Sequence, residues 1–366
     1  LLKKISPFLP PVMLLSVSAL LAGLWSGLIR IGWQIPGDPV DFAYSHGPLM
    51  VSGFLGSLIS VERVVALRRP WMFAAPLLAG LGWVISLVLP GQPLGPALIT
   101  LGSLVTTAIL GVMVRREPVL HTLVMASGAL SWLVGNLLWL LGLPIYQVVY
   151  WWAAFLVLTI TGERLELSRV LRMTARKQAL FLLAAGLFAG GVIATLFDLQ
   201  WGARIAGAGL VALSAWLLVF DIARRNLRHP APLTRYIARC LFLGYFWLAL
   251  GGVLWLVSDA NGLYAGPRYD AILHSVFVGF VFSMIFGHAP IILPALLNRM
   301  LPYHPAFYLS LGLLHLSLLL RVAGDLLGQM DVRRWGGLLN EVSILLFLGM
   351  LIVTLARQSR AAGMRG

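Results

Sequence analysis

The sequence predicts an all-α polytopic membrane protein of about twelve transmembrane helices, and three observations carry that expectation. Of the 366 residues, 60% are hydrophobic and only 11% charged, where a soluble domain of this length keeps about a quarter of its residues charged. The apolar residues fall into repeated runs of about twenty, the length at which a helix crosses the hydrocarbon core. The basic residues sit in short clusters between those runs, as interfacial anchoring requires. This placement gives the net charge of +14 its meaning: it belongs to loops at a lipid surface, and argues against nucleic acid as a partner. The one cysteine, Cys240, excludes an internal disulfide and any cysteine-based metal site.

The apolar runs lie at approximately 11–31, 44–66, 71–90, 93–114, 118–141, 144–168, 178–198, 201–223, 235–258, 269–298, 305–328 and 335–356. The first is long enough to span and carries no small-residue cleavage signature, so it reads as a helix rather than a removable signal peptide. Pro90-Gly91 and Gly142-Leu143-Pro144 punctuate connections and predict tight turns between antiparallel helices. With the N-terminus inside, basic residues concentrate on the inner side of alternate loops. Only Arg30, Arg204, Arg268, Arg321, Arg333 and Arg334, six of the 27 Lys and Arg, fall outside. The positive-inside rule therefore places both termini in the cytoplasm of a bacterial-type inner membrane, within a single transmembrane domain covering 1–366.

Three segments align without gaps: GFLGSLISVER from Gly53, AFLVLTITGER from Ala154 and GFVFSMIFGHA from Gly279. Phe holds the second position each time, and a polar group stands nine residues after each start: Glu62, Glu163 and His288. The preceding helices rhyme as GNLLWLLG from Gly135 and GGVLWLVS from Gly251. The spacing predicts a pseudo-threefold repeat of four-helix units, at 1–116, 117–228 and 229–366.

Ionisable groups within a transmembrane helix are costly, which makes each one a functional candidate. His46 opens the second run in HGPLMVSGF, and His274 lies near the start of the tenth in HSVFVGF. Measured from the shared Gly-Phe, they stand seven and five residues back. At about 100° per residue they point roughly 160° apart in their own helix frames. Two equivalent helices thus offer different faces to one flat cofactor, and imidazole is a common axial ligand for haem iron. Haem brings two propionates; Arg333 and Arg334 in MDVRRW, with Arg321, supply cations on the same side.

A deeper polar layer comprises His288, Glu62 and Glu163, with His121 and His315 as further candidates for a metal or proton-handling site. His288 lies fourteen residues after His274, about 21 Å further along an α-helix. The competing reading makes Glu62-Arg63 and Glu163-Arg164 interfacial anchors and lets carbonyls freed by the nearby proline satisfy His288. His229 and His304 fall in inner loops and read as solvated.

These residues resemble haem-copper oxidase subunit I. HGPLM is similar to the His-Gly-x-x-Met of that family's second helix, whose histidine is an axial ligand of the low-spin haem. The resemblance implies His274 as the other ligand, and Arg333-Arg334 as the paired arginine before the twelfth helix that holds propionates. The NnrS family resembles the chain more closely. Its His-x-x-x-Met-x-x-Gly-Phe is matched by His46, Met50, Gly53 and Phe54, and its tenth-helix pattern by His274, Gly279 and Met284. Gly287-His288 and Leu319–Val322 match further motifs. These motifs cover about a sixth of the chain. The resemblance implies haem b, copper as a possible second metal, and a role in nitric oxide or related redox metabolism. The sequence also departs from both patterns. Pro48 stands where NnrS proteins usually carry a second histidine, and the sixth and seventh runs hold no histidine to ligate an oxidase copper. An oxygen-reducing binuclear centre is thereby removed from the expectation, so the chain is not expected to be a terminal oxidase.

Three functions remain at this stage: an NnrS-like haem protein, a proton-coupled transporter built on a repeat scaffold, and a membrane electron-transfer subunit serving a cytochrome or cupredoxin.

Overall fold

In the computed structural model the described residues are 7–35, 40–67, 69–171, 173–297 and 302–363. Lys3, Lys4, Arg68, Arg172, Arg299 and Arg365, which contribute to the inner-side charge count, lie outside them. The described residues form helices and no strand, as an apolar environment dictates. Without water to bond to, a backbone in lipid satisfies its N–H and C=O groups within the helix itself.

Among the described residues twelve helices are long and apolar enough to cross a membrane: α1 (Leu9–Arg30), α2 (His46–Leu67), α3 (Pro70–Val88), α4 (Leu94–Arg116), α5 (Leu120–Leu140), α6 (Ile145–Leu171), α7 (Ala175–Ala194), α8 (Leu199–Phe220), α9 (Pro232–Val257), α10 (Gly266–Leu297), α11 (Phe307–Leu326) and α12 (Met330–Arg357). Lipid must cover their exposed faces. α1, α9 and α10 each carry proline in the first turn, where a missing N–H costs nothing and the fixed φ suits the helix. The two turns expected at Gly91 and Gly142 are present, with φ of 78° and 91°.

The chain divides into two compact units. One comprises Ser6–Glu166 with Val192–Leu199; the other comprises Leu167–Gly191 with Gln200–Gly366. In the first unit α6 is the central element, buried at every position from Val148 to Gly162. A helix apolar all round belongs inside a bundle. Trp132 of α5 stacks on Phe155 of α6 at a centroid separation of 4.8 Å. Among them runs a buried polar thread. Trp132 Nε1 donates to Ser52 Oγ at 3.1 Å, and Ser52 Oγ donates to Asn136 Oδ1 at 3.3 Å. Trp152 Nε1 donates to the same oxygen at 3.0 Å. Because an indole N–H can only donate, the Asn136 atom facing it must be the oxygen.

Neither α2 nor α10 is a uniform α-helix. Leu49–Gly56 and Ser275–Phe282 are π-helical, with α-helix on both sides. The two segments occupy one register, each running from four residues before Gly53 or Gly279 to three residues after it. That is the register in which the sequences align. α6, the third aligned segment, is α-helical throughout the corresponding stretch. The shared aromatics Phe54, Phe155 and Phe280 are all buried. The π turn also corrects one expectation. Its wider i→i+5 coil climbs less per residue than an α-helix, so His288 lies closer to His274 along the axis than a uniform α-helix would place it.

Candidate functional site

The second unit builds a buried ion cluster around His274. Asp270 and His274 stand four residues apart in the first turns of α10, hence on one face. Arg321 and Asp325 are likewise four apart near the end of α11, and Arg333 opens α12 after a turn at Gly328, whose φ is 68°. Glycines let α11 and α12 touch here. A methyl on Gly324 would lie 2.5 Å from the Arg333 backbone nitrogen, and one on Gly336 would lie 2.4 Å from that of Arg321.

That approach converges the charges. Arg321 donates from Nε to Asp270 Oδ2 at 2.7 Å and from Nη2 to Oδ1 at 2.9 Å, the bidentate fork of an arginine–carboxylate pair. Arg333 Nη2 is 3.5 Å from Asp270 Oδ1, and its Nε is 2.8 Å from Asp325 Oδ1. All four side chains are buried. Each guanidinium lies against a carboxylate, which is what makes such burial tolerable in an apolar medium.

His274 completes the cluster. Its Nδ1 lies 2.9 Å from the Asp270 carbonyl oxygen and 3.3 Å from Asp270 Oδ1. A carbonyl cannot donate, so Nδ1 carries the proton and the lone pair resides on Nε2. In the first unit His46 reaches the same tautomer by another route: its Nδ1 donates to the Gly23 carbonyl of α1 at 2.8 Å. Met50, one turn on, also meets Gly23, where an added methyl would come 2.5 Å from its sulfur. The His-x-x-x-Met pattern therefore places both side chains on one glycine of α1.

The arginines do not sit as the sequence suggests. Arg321 and Arg333, expected to serve propionates, are committed to Asp270 and Asp325. Arg334 is the more exposed, 3.8 Å from the solvated Asp331. The sequence reading missed both aspartates, although each carries a legible signal: a carboxylate inside an apolar run, one helical turn from a His or an Arg.

A single family pattern spans the chain from the first residue of α1 almost to the end of α12, at residues 9–356. The chain belongs to the family described as a domain of unknown function, DUF8744. No curated protein matches it. Since DUF8744 carries no assigned activity, its chemistry has to be read from the side chains.

The deeper layer of this DUF8744 chain resolves into separate arrangements. Among the described residues no three His, Cys, Asp or Glu side chains converge to hold a metal ion. Glu163 pairs across helices with Arg63 of α2 rather than serving as a local anchor beside Arg164. Glu62 is half-buried. His121 is buried, 3.9 Å from Glu166. His288 donates from Nδ1 to the Met284 carbonyl at 2.7 Å. His315 has the opposite tautomer, because Trp247 Nε1 donates to its Nδ1 at 2.9 Å. His229 and His304 are exposed, and each Nδ1 accepts the backbone N–H two residues on, at 3.1 Å. Both belong to His-Pro-Ala turns that lead into a helix, a repetition the sequence carried unnoticed.

Proposed function

We propose that this protein is a haem-binding integral membrane protein with His46 and His274 as imidazole ligands to the iron. One observation carries the reading. The two π-helical segments share one register, His274 directly precedes one and His46 stands three residues before the other, and both histidines are held in the tautomer that puts the lone pair on Nε2. Metal-ligating histidines typically donate their other ring N–H to a carbonyl or carboxylate in just this way, and π segments inside α-helices cluster at functional sites.

The imidazoles and their partners fit haem; the cations fit less well. Arg321 and Arg333 have their donors engaged by aspartates, so Arg334 alone of the three keeps a propionate role in this reading. The common register supports the equivalence of α2 and α10 within the proposed four-helix repeat, and through it the likeness to NnrS and haem-copper oxidase subunit I. Both termini are placed in the cytoplasm by the charge count. A haem held by His46 and His274 would supply one-electron transfer. This favours exchange with a cytochrome or cupredoxin, in nitric oxide-related or other redox metabolism. The chain's own contribution is to fix the orientation of the two rings.

Protein purified from haem-replete cells is expected to show a Soret band that His46→Ala or His274→Ala abolishes while the helical circular dichroism persists. A colourless, folded preparation would overturn the reading. Proton-coupled uptake by such haem-free protein in vesicles would establish the transporter instead.

A further inference from the structure

Resting on that reading, we propose that Asp270 is a positioning residue for His274, and that Arg321 and Arg333 act on the haem ligand through Asp270 rather than on a haem carboxylate. The Nδ1–H of His274 faces two oxygens of one residue, the Asp270 carbonyl at 2.9 Å and its carboxylate at 3.3 Å. The carboxylate is immobilised by the Arg321 fork at 2.7 and 2.9 Å, and Arg333 Nη2 lies 3.5 Å from the same Oδ1 that faces His274. Asp325, 2.8 Å from Arg333 Nε, balances the remaining cation. Each charge thus has a partner, and the end of the chain of contacts is a single ring nitrogen.

The physical consequence lies at the other nitrogen. A carboxylate beside Nδ1–H makes the imidazole a stronger electron donor at Nε2, and such partners of a ligating histidine fix its orientation and raise its basicity. A more basic ligand favours ferric over ferrous iron and lowers the reduction potential. The two guanidiniums moderate this effect while holding the carboxylate still. The Nδ1 of His46 donates to the Gly23 carbonyl at 2.8 Å. In this arrangement Arg321 of α11 and Arg333 of α12 act on His274 through Asp270.

The test titrates the purified full chain, in lipid nanodiscs, with haemin. It reads affinity from the Soret band and the midpoint potential from an optical redox titration. Asp270→Asn alone takes the carboxylate from the Arg321 fork, so the informative protein is Asp270→Asn combined with Arg321→Gln, which removes one charge of each sign. The pair is expected to bind haemin about 10- to 100-fold more weakly, with a raised midpoint potential once loaded. Should the pair not fold, Asp270→Glu keeps every charge and displaces the carboxylate, and its potential is expected to shift while folding is retained. Wild-type affinity and potential in the folded variant would overturn the inference, reduce Asp270 to an ion-pair partner, and leave the haem reading standing. Wild-type protein that takes up no haemin overturns both.

Discussion

Gly279→Ala is the most direct probe of the π segment in α10. Gly279 presents bare backbone to Trp247 of α9. A methyl there would lie 2.4 Å from Trp247 Cγ, 2.5 Å from its Cβ and 2.8 Å from Cδ2. Carbon atoms settle at about 3.5–4.0 Å, so the helices must part by about 1 Å or the indole must turn. Overpacking of this kind costs about 1–3 kcal/mol. Turning the indole also breaks the 2.9 Å bond from Trp247 Nε1 to His315, adding about 0.5–1.5 kcal/mol. A total loss of about 1.5–4.5 kcal/mol is expected from these two terms. Thermal unfolding in detergent followed by circular dichroism reads the loss, and tryptophan fluorescence reads the displaced indole. Gly312→Ala in α11 is the control, because nothing lies within 4 Å of its added methyl. It is expected to be neutral or to stabilise by up to about 1 kcal/mol. Equal unfolding of the two variants and the wild type would refute the close-approach argument.

Two further outcomes follow from the first unit. Asn136→Ala removes the acceptor shared by Ser52 and Trp152 and strands buried donors, each costing about 1–3 kcal/mol; equilibrium unfolding should show a loss of at least the lower figure, and an unchanged midpoint would mean the thread contributes nothing. Arg63→Gln and Glu163→Gln should each destabilise, and the double variant should cost less than the sum. The pair is only partly desolvated, with side-chain exposures of 11% and 24%, so a coupling of about 1 kcal/mol is expected rather than the larger value of a fully buried pair. Strict additivity in that double-mutant cycle would show that the two residues do not interact.

How much of this was legible beforehand depended on the range of the physics involved. Helix count and approximate bounds follow from apolar run length, a local property set by bilayer thickness, and the glycine turns at Gly91 and Gly142 follow from local backbone sterics. The alignment of the α2 and α10 segments was readable too, but the π conformation common to both was not: nothing in LMVSGFLG or SVFVGFVF announces an i→i+5 coil. The site divided along the same line. His46 and His274 were conspicuous as intramembrane imidazoles. Their tautomers depend on the carbonyls of Gly23 and Asp270, the first of which lies on a different helix.

The arginines show the division most clearly. By itself the sequence determined that Arg321, Arg333 and Arg334 gather at one end of the last two helices, because charge placement relative to apolar runs is a one-dimensional property. Only the tertiary structure decided whom they serve. Gly324 and Gly336 bring two backbones together, Arg321 and Arg333 then reach Asp270 and Asp325, and Arg334 lies 3.8 Å from Asp331 instead. Ion pairing in an apolar medium is settled by distances of a few ångströms, and those distances are fixed by packing.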